Sequence, residues 1–211
     1  MRRPDRRTAA WRGAAILFAA MLASPGARAG EPAPAASQRI RGTVVARDRS
    51  GLTIATGSRP VSITLSADYG VTALVASRPE TVAPGRYVGT VATRGAKGVL
   101  KAREIHVFPE KWRSTTGGVQ PFDLGPDSVV ATGTVEQGLV DGLGGTLTLT
   151  YPGGVSVVLV PPGTPVVTFA PGSRDLLVPG AHVVVEASGP GGGPLRADRV
   201  LVGTDGLVPQ I

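Results

Sequence analysis

From Ile40 onward, apolar and polar residues alternate in short runs rich in Val, Ile and Thr, and clusters of Gly and Pro separate the runs. Period-two alternation bounded by turn residues is the signature of half-buried β-strands. It predicts strands over 40–47, 52–57, 60–65, 86–93 and 99–107, with counterparts in the second half of the chain. Residues 71–75 extend the sheet between the third and fourth strands. Ser77-Arg78-Pro79-Glu80 then reads as a one-turn capping box, with Ser77 as cap and Glu80 reaching back, and Ser173-Arg174-Asp175 does the same later. The segments 94–98 and 189–194 fit hairpin turns, because Gly supplies the positive φ that such turns require.

The chain also matches itself once. Gly42-Thr43-Val44 returns as Gly133-Thr134-Val135, Leu52-Thr53-Ile54 as Leu147-Thr148-Leu149, and Pro84-Gly85 as Pro179-Gly180. The offset grows from 91 (42 to 133) to 95 (84 to 179), which a four-residue insertion around 141–145 explains. Leu100-x-Ala102-x-x-Ile105-x-Val107 matches Leu195-x-Ala197-x-x-Val200-x-Val202. Inward positions there step by two and then by three, so one extra residue sits at Arg103-Glu104 and again at Asp198-Arg199. A β-bulge restores the buried face after such a slip. Three strands, a short helical turn and two strands is the order of an OB-like small barrel. The expected architecture is all-β: two tandem five-stranded OB-like barrels at 39–108 and 131–203, joined by a connection at 109–130 and followed by a tail at 204–211. Units of this size sit near the lower limit of independent stability and should pack on each other. A single β-sandwich made from both halves is the alternative.

The first 29 residues belong to a different pattern. Arg2, Arg3, Arg6, Arg7 and Arg12 precede an apolar stretch at 14–23, Ser24 and Pro25 break it, and Ala27-Arg28-Ala29 offers small residues for cleavage. That is the order of a secretory signal peptide, removed after Ala29, with a Pro/Ala-rich linker at 30–38. Thr8-Ala9-Ala10 follows Arg6-Arg7 where the twin-arginine route favours bulky apolar residues, so ordinary secretion fits better. The expected location is periplasmic or secreted, and the absence of Cys removes lipoprotein anchoring and disulfides. The leader also changes the charge. The full chain is +7, whereas the part from Gly30 has 16 basic and 14 acidic residues, a net +2. Within it, residues 39–113 hold 13 basic and 5 acidic side chains and residues 114–211 hold 3 and 8, which suggests an electrostatic contribution to docking the halves.

Four segments carry a resemblance: Ile105-His106-Val107-Phe108-Pro109-Glu110, Pro121-Phe122-Asp123-Leu124-Gly125-Pro126, Pro161-Pro162-Gly163-Thr164-Pro165-Val166-Val167-Thr168-Phe169, and Val202-Gly203-Thr204-Asp205-Gly206-Leu207. From about Ile40 to Pro209 the chain resembles uncharacterised exported bacterial proteins of the domain-of-unknown-function (DUF) 5666 type. The resemblance implies an exported OB-like protein and brings no catalytic residues with it. A permease role, sometimes attributed to such sequences, needs spanning helices of roughly 20 apolar residues, and the apolar stretch at 14–23 has half that.

Catalytic motifs are missing: the sequence has no G-x-S-x-G, no phosphate-binding G-x-x-x-x-G-K-[ST] and no H-E-x-x-H. The chain is therefore expected to be no enzyme and to hold no cofactor. Metal binding has little material, because both Met residues leave with the leader and only His106 and His182 remain. His106 lies between inward Ile105 and Val107 and is expected to point outward into solvent. Nucleic acid is not an expected partner, since the basic half carries few rings to stack bases on its strands. The connection is the one segment the repeat leaves unexplained. Its Trp112, Arg113 and Phe122, with nearby Arg103, form the candidate ligand or partner surface, or clamp the two units together. The functional expectation is a non-enzymatic binding or scaffolding protein of the envelope that does not span the membrane, its partner an envelope protein or a small ligand. The alternative is a small-molecule or metal-binding protein with its site between the units.

Overall fold

The computed structural model describes residues 36–138, 144–190 and 193–211. The segment read as a leader, most of the segment read as linker and most of the loop at 141–145 lie outside the described residues. The described residues form twelve strands: β1 (Ala36–Arg47), β2 (Gly51–Ala55), β3 (Pro60–Ala76), β4 (Tyr87–Arg94), β5 (Leu100–Val107), β6 (Gly118–Pro121), β7 (Ser128–Gln137), β8 (Gly145–Tyr151), β9 (Gly154–Val160), β10 (Val166–Pro171), β11 (His182–Gly189) and β12 (Leu195–Gly203). Among the described residues the only helical segments are three-residue 3-10 turns, so the fold is all-β. β1 begins inside the segment read as linker, because Ala36 to Gln38 pair with Gly189 to Ala187.

The strands close into five-stranded rings. One runs β12-β11-β1-β2-β3 and is closed by parallel pairing of β12 with β3, Leu195 beside Ile63. The other runs β5-β4-β7-β8-β9 and is closed by β5 against β9, Leu100 beside Val158. Each ring has its own apolar core, built around Ile54, Ile63 and Val185 in the first and Ile105, Leu147 and Leu149 in the second. The rings are therefore not the tandem units 39–108 and 131–203, and the halves do not merge into one sandwich. The first ring takes β1 to β3 from the first repeat and β11 and β12 from the second, and the second ring takes β4 and β5 from the first repeat and β7 to β9 from the second.

The reason lies in β3. Instead of turning back, its second half runs out of the first ring and pairs antiparallel with its own duplicate, β10, from Thr72↔Pro171 to Ala76↔Val167. Leu74 and Phe169 occupy equivalent repeat positions and pair with each other, so the pseudo-two-fold axis passes through this pair. Beyond it each chain segment enters the other ring. The residues after the 3-10 turns Pro79–Thr81 and Arg174–Leu176, Val82 and Leu177, then plug the second and first core respectively. Matching backbone bonds hold both crossovers: Gly85 N–H donates to Val135 O at 2.8 Å, and Gly180 N–H to Val44 O at 2.9 Å.

Both expected bulges are present. The β4–β5 register slips past Arg103, and the β11–β12 register slips between Val185↔Val200 and Ser188↔Arg196. The glycines of the Gly-Thr-Val triplets also have a cause. A Cβ at Gly42 would stand 2.1 Å from the Ala55 carbonyl oxygen, and one at Gly133 would stand 2.7 Å from that of Thr150. The capping box is corrected in the first repeat. Pro79 opens the turn, so the cap position falls on Arg78, which makes no side-chain cap bond, while Ser77 Oγ bonds Thr81 Oγ1 at 3.0 Å. In the second repeat Ser173 does cap, accepting from Asp175 N–H at 3.2 Å.

Candidate functional site

The connection straps the rings together. β6 lies on β7 of the second ring and delivers Phe122 and Asp123 to β1 of the first. The guanidinium groups of Arg39 and Arg41 lie 5.0 and 5.3 Å from the centre of the Phe122 ring. Arg41 also donates to both oxygens of Asp123 at 2.7 and 2.8 Å, a bidentate geometry that favours the ionised carboxylate. The Arg41 hydrogen bonds, followed by the charges of Arg41 and Arg39, hold the Asp123 carboxyl below the ordinary carboxylate value despite some desolvation. A depressed native pKa means stability that is present above the unfolded value, about 3.9, and lost as pH falls through the native one. Asp123→Asn should accordingly flatten the acid side of the stability profile, with the loss of slope confined to pH below about 4. Urea unfolding of both proteins from pH 2 to 7 checks this; an unchanged slope below pH 4 counts against it. The carboxylate is partly exposed, so the effect is modest.

Arg113 is equally committed to structure. It pairs with Glu110, donates to Gly85 O at 2.8 Å and to Thr134 Oγ1 at 3.0 Å, and lies 5.8 Å from the Tyr87 ring centre. Arg103, the extra residue of the bulge, is exposed on β5 and meets none of the other three. Trp112 is exposed as well, and faces a cleft. Its 3-10 turn Glu110–Trp112 sets the indole on Phe169 at a centroid distance of 5.1 Å, yet the residue remains 42% exposed. Phe169 in turn stacks on Phe108 at 5.3 Å and 5°, and Phe108 meets Tyr87 at 5.6 Å. The Trp112 and Phe169 end of this aromatic row lines a cleft of about 160 Å³ on the outer side of the first ring, beside β10. The cleft walls bring together Trp112, Phe169 and Leu201 with the charged side chains of Arg39, Glu186 and Arg199.

His106 departs from expectation. It is fully buried, with Nε2 only 2.6 Å from Oε1 of Glu104, itself buried. The alternation does put His106 on the face opposite Ile105 and Val107, but that face is covered. Phe169 stacks on the imidazole at 5.8 Å, and the C-terminal tail lays buried Pro209 nearby, with Gln210 N–H 3.4 Å from Glu104 Oε1. Nδ1 of His106 has no partner among the described residues. Sequence reasoning missed Glu104, although Glu-x-His on a strand places both side chains on one face. Their duplicates are Arg199 and Leu201, so the pair belongs to one repeat only. His182 is half-buried, its Nδ1 3.2 Å from Thr43 Oγ1. Among the described residues no three His, Asp or Glu side chains gather as metal ligands do. No family model, no curated protein and no solved structure matches the chain.

Proposed function

We propose that the chain works outside the cytoplasm as a non-catalytic binding protein, and that its site is the cleft beside Trp112 on the first ring. The leader pattern of residues 1–29 supports the location. One observation carries the site: Trp112 is held on Phe169 at the cleft mouth with much of its indole exposed, beside the Arg39 and Arg199 guanidinium groups. Exposed large aromatics cost solvation unless something covers them, and clefts that join an apolar floor to a few charged groups suit small amphipathic ligands. A cleft of about 160 Å³ admits one aromatic or branched aliphatic group, and the Arg199 guanidinium suits a carboxylate on it. The contacts of Phe122, Asp123 and Arg113 support the strap reading for the rest of the connection.

Residues 36–211 contain a single tryptophan, so one indole N–H resonance reports the site. Titration with benzoate should shift that resonance saturably, and Arg199→Ala should weaken the binding about tenfold, the worth of one charge-assisted contact. Trp112→Ala should abolish binding while leaving the melting temperature nearly unchanged. A shift that never saturates, or a Trp112→Ala protein that fails to fold, overturns the reading.

A further inference from the structure

We infer that the outer face formed by β9 and the start of β5 docks the protein on an anionic membrane surface. Val155, Val157 and Leu159 project outward from β9 with 57, 56 and 46% of their surface exposed, and Val99, just before β5, is 52% exposed. Alternation puts the three β9 residues on one pleated face, while Val158 and Val160 point into the core. Thr150, Thr148 and Thr146 of β8 stand opposite them along one flank. On the other flank Lys101 pairs beside Leu159, and exposed Arg103 follows on the same strand. An aliphatic row edged by hydroxyls and cations is the composition of a peripheral membrane contact, with apolar side chains at the acyl boundary and cations at phosphate level.

The duplication supplies an internal control. At the positions of Val155, Val157 and Leu159 the other repeat has Pro60, Ser62 and Thr64; Val99 corresponds to Pro194, Lys101 to Arg196 and Arg103 to Asp198. The first ring closes with the same pairing and without this surface, so closing a ring requires neither the outward aliphatics nor the paired cations. The outward positions of β8, β9 and β5 carry no exposed carboxylate, since Glu104 is buried. This argues against a second copy as the occupant, because an isologous contact would bring the same cations together with no opposing charge. A peptide partner would ask in addition for a groove, and the cleft beside Trp112 is formed by β1, β3, β10, β11 and β12 instead. A bilayer needs only the separation of apolar row and cations that is present.

All twelve described strands follow residue 35, so the test uses the chain starting at Gly30, which contains every described element and omits the apolar stretch at 14–23. This protein should co-sediment with phosphatidylcholine vesicles that contain phosphatidylglycerol and remain free with phosphatidylcholine alone. Val157→Asp, and separately Lys101→Glu with Arg103→Glu, should each weaken binding about tenfold or more. Ser62→Asp, at the duplicate position, should leave binding unchanged, and equal melting temperatures show that all three variants fold. The inference is overturned if vesicles with phosphatidylglycerol do not bind the protein or if Val157→Asp binds as before. It is also overturned if sedimentation shows a dimer that Val157→Asp dissociates, or if only an acidic protein occupies the face. None of these outcomes bears on benzoate at the cleft, so the two proposals fail independently.

Discussion

Replacing Glu104 by Ala should destabilise the protein by about 3 kcal/mol, the cost of leaving one member of a buried polar pair alone. His106 is fully buried; among the described residues its Nδ1 has no partner and its Nε2 bonds only Glu104, a bond the variant loses. The tail would lose the acceptor that Glu104 offers Gln210 N–H. Ile211, one residue on, lines the cleft beside Trp112, so the same substitution should move Trp112 emission to longer wavelength as the tail loosens. Replacing the pair together, Glu104→Leu with His106→Leu, should recover most of the stability, because a well-packed apolar pair of similar volume avoids the desolvation cost altogether. The duplicate already carries Leu201 at the position of His106. Urea unfolding of the single and double variants decides the matter. A single variant that costs under about 1 kcal/mol, or a double variant no better than the single, would mean that the pair is not desolvated as its burial implies.

Most of the local architecture was legible because it rests on short-range physics. Period-two alternation of Val, Ile and Thr located the strands, and the step of three between Ala102 and Ile105 located a bulge that the β4–β5 register bears out. The exchange of strands was not legible, since β4 and β5 bury the same faces whichever ring they close. Only the extension at 71–75 hinted at it, by lengthening β3 past the point where a closed unit should turn. His106 failed for the same reason: alternation gives the face a side chain occupies but not what covers that face. The charge imbalance between the halves did carry information. Arg39 and Arg41 belong to the basic half, and Asp123 and Glu186, with which they pair, to the acidic half. In the candidate site, Trp112 could be found because the repeat left its segment unexplained, whereas Arg39 and Arg199 reach the cleft only through the exchange.

Leu177→Ala tests that exchange most directly. Leu177 is fully buried in the first core with Leu52, Ile54 and Val200, yet it arrives there on the second repeat, just past the turn Arg174–Leu176. Truncating it removes three carbons and leaves a cavity, at a cost of about 2–5 kcal/mol. In a domain of this size that lowers the melting temperature by about 5–15 °C. Where the loss appears matters more than its size. With one barrel per repeat, a cavity in one core would leave the other to melt on its own, giving two separated transitions. With exchanged strands neither ring keeps its wall once the other opens, because β3 and β10 leave one ring and pair with each other on the way to the next. Trp112 follows β5 of the second ring and meets Phe169 on β10, so its fluorescence reports a region outside the core that holds Leu177. Far-ultraviolet circular dichroism and Trp112 fluorescence should therefore shift together in a single transition, and Val82→Ala in the second core should shift both probes in the same way. If the Leu177→Ala protein instead melts in two steps, with Trp112 holding its original midpoint, the rings are energetically separate.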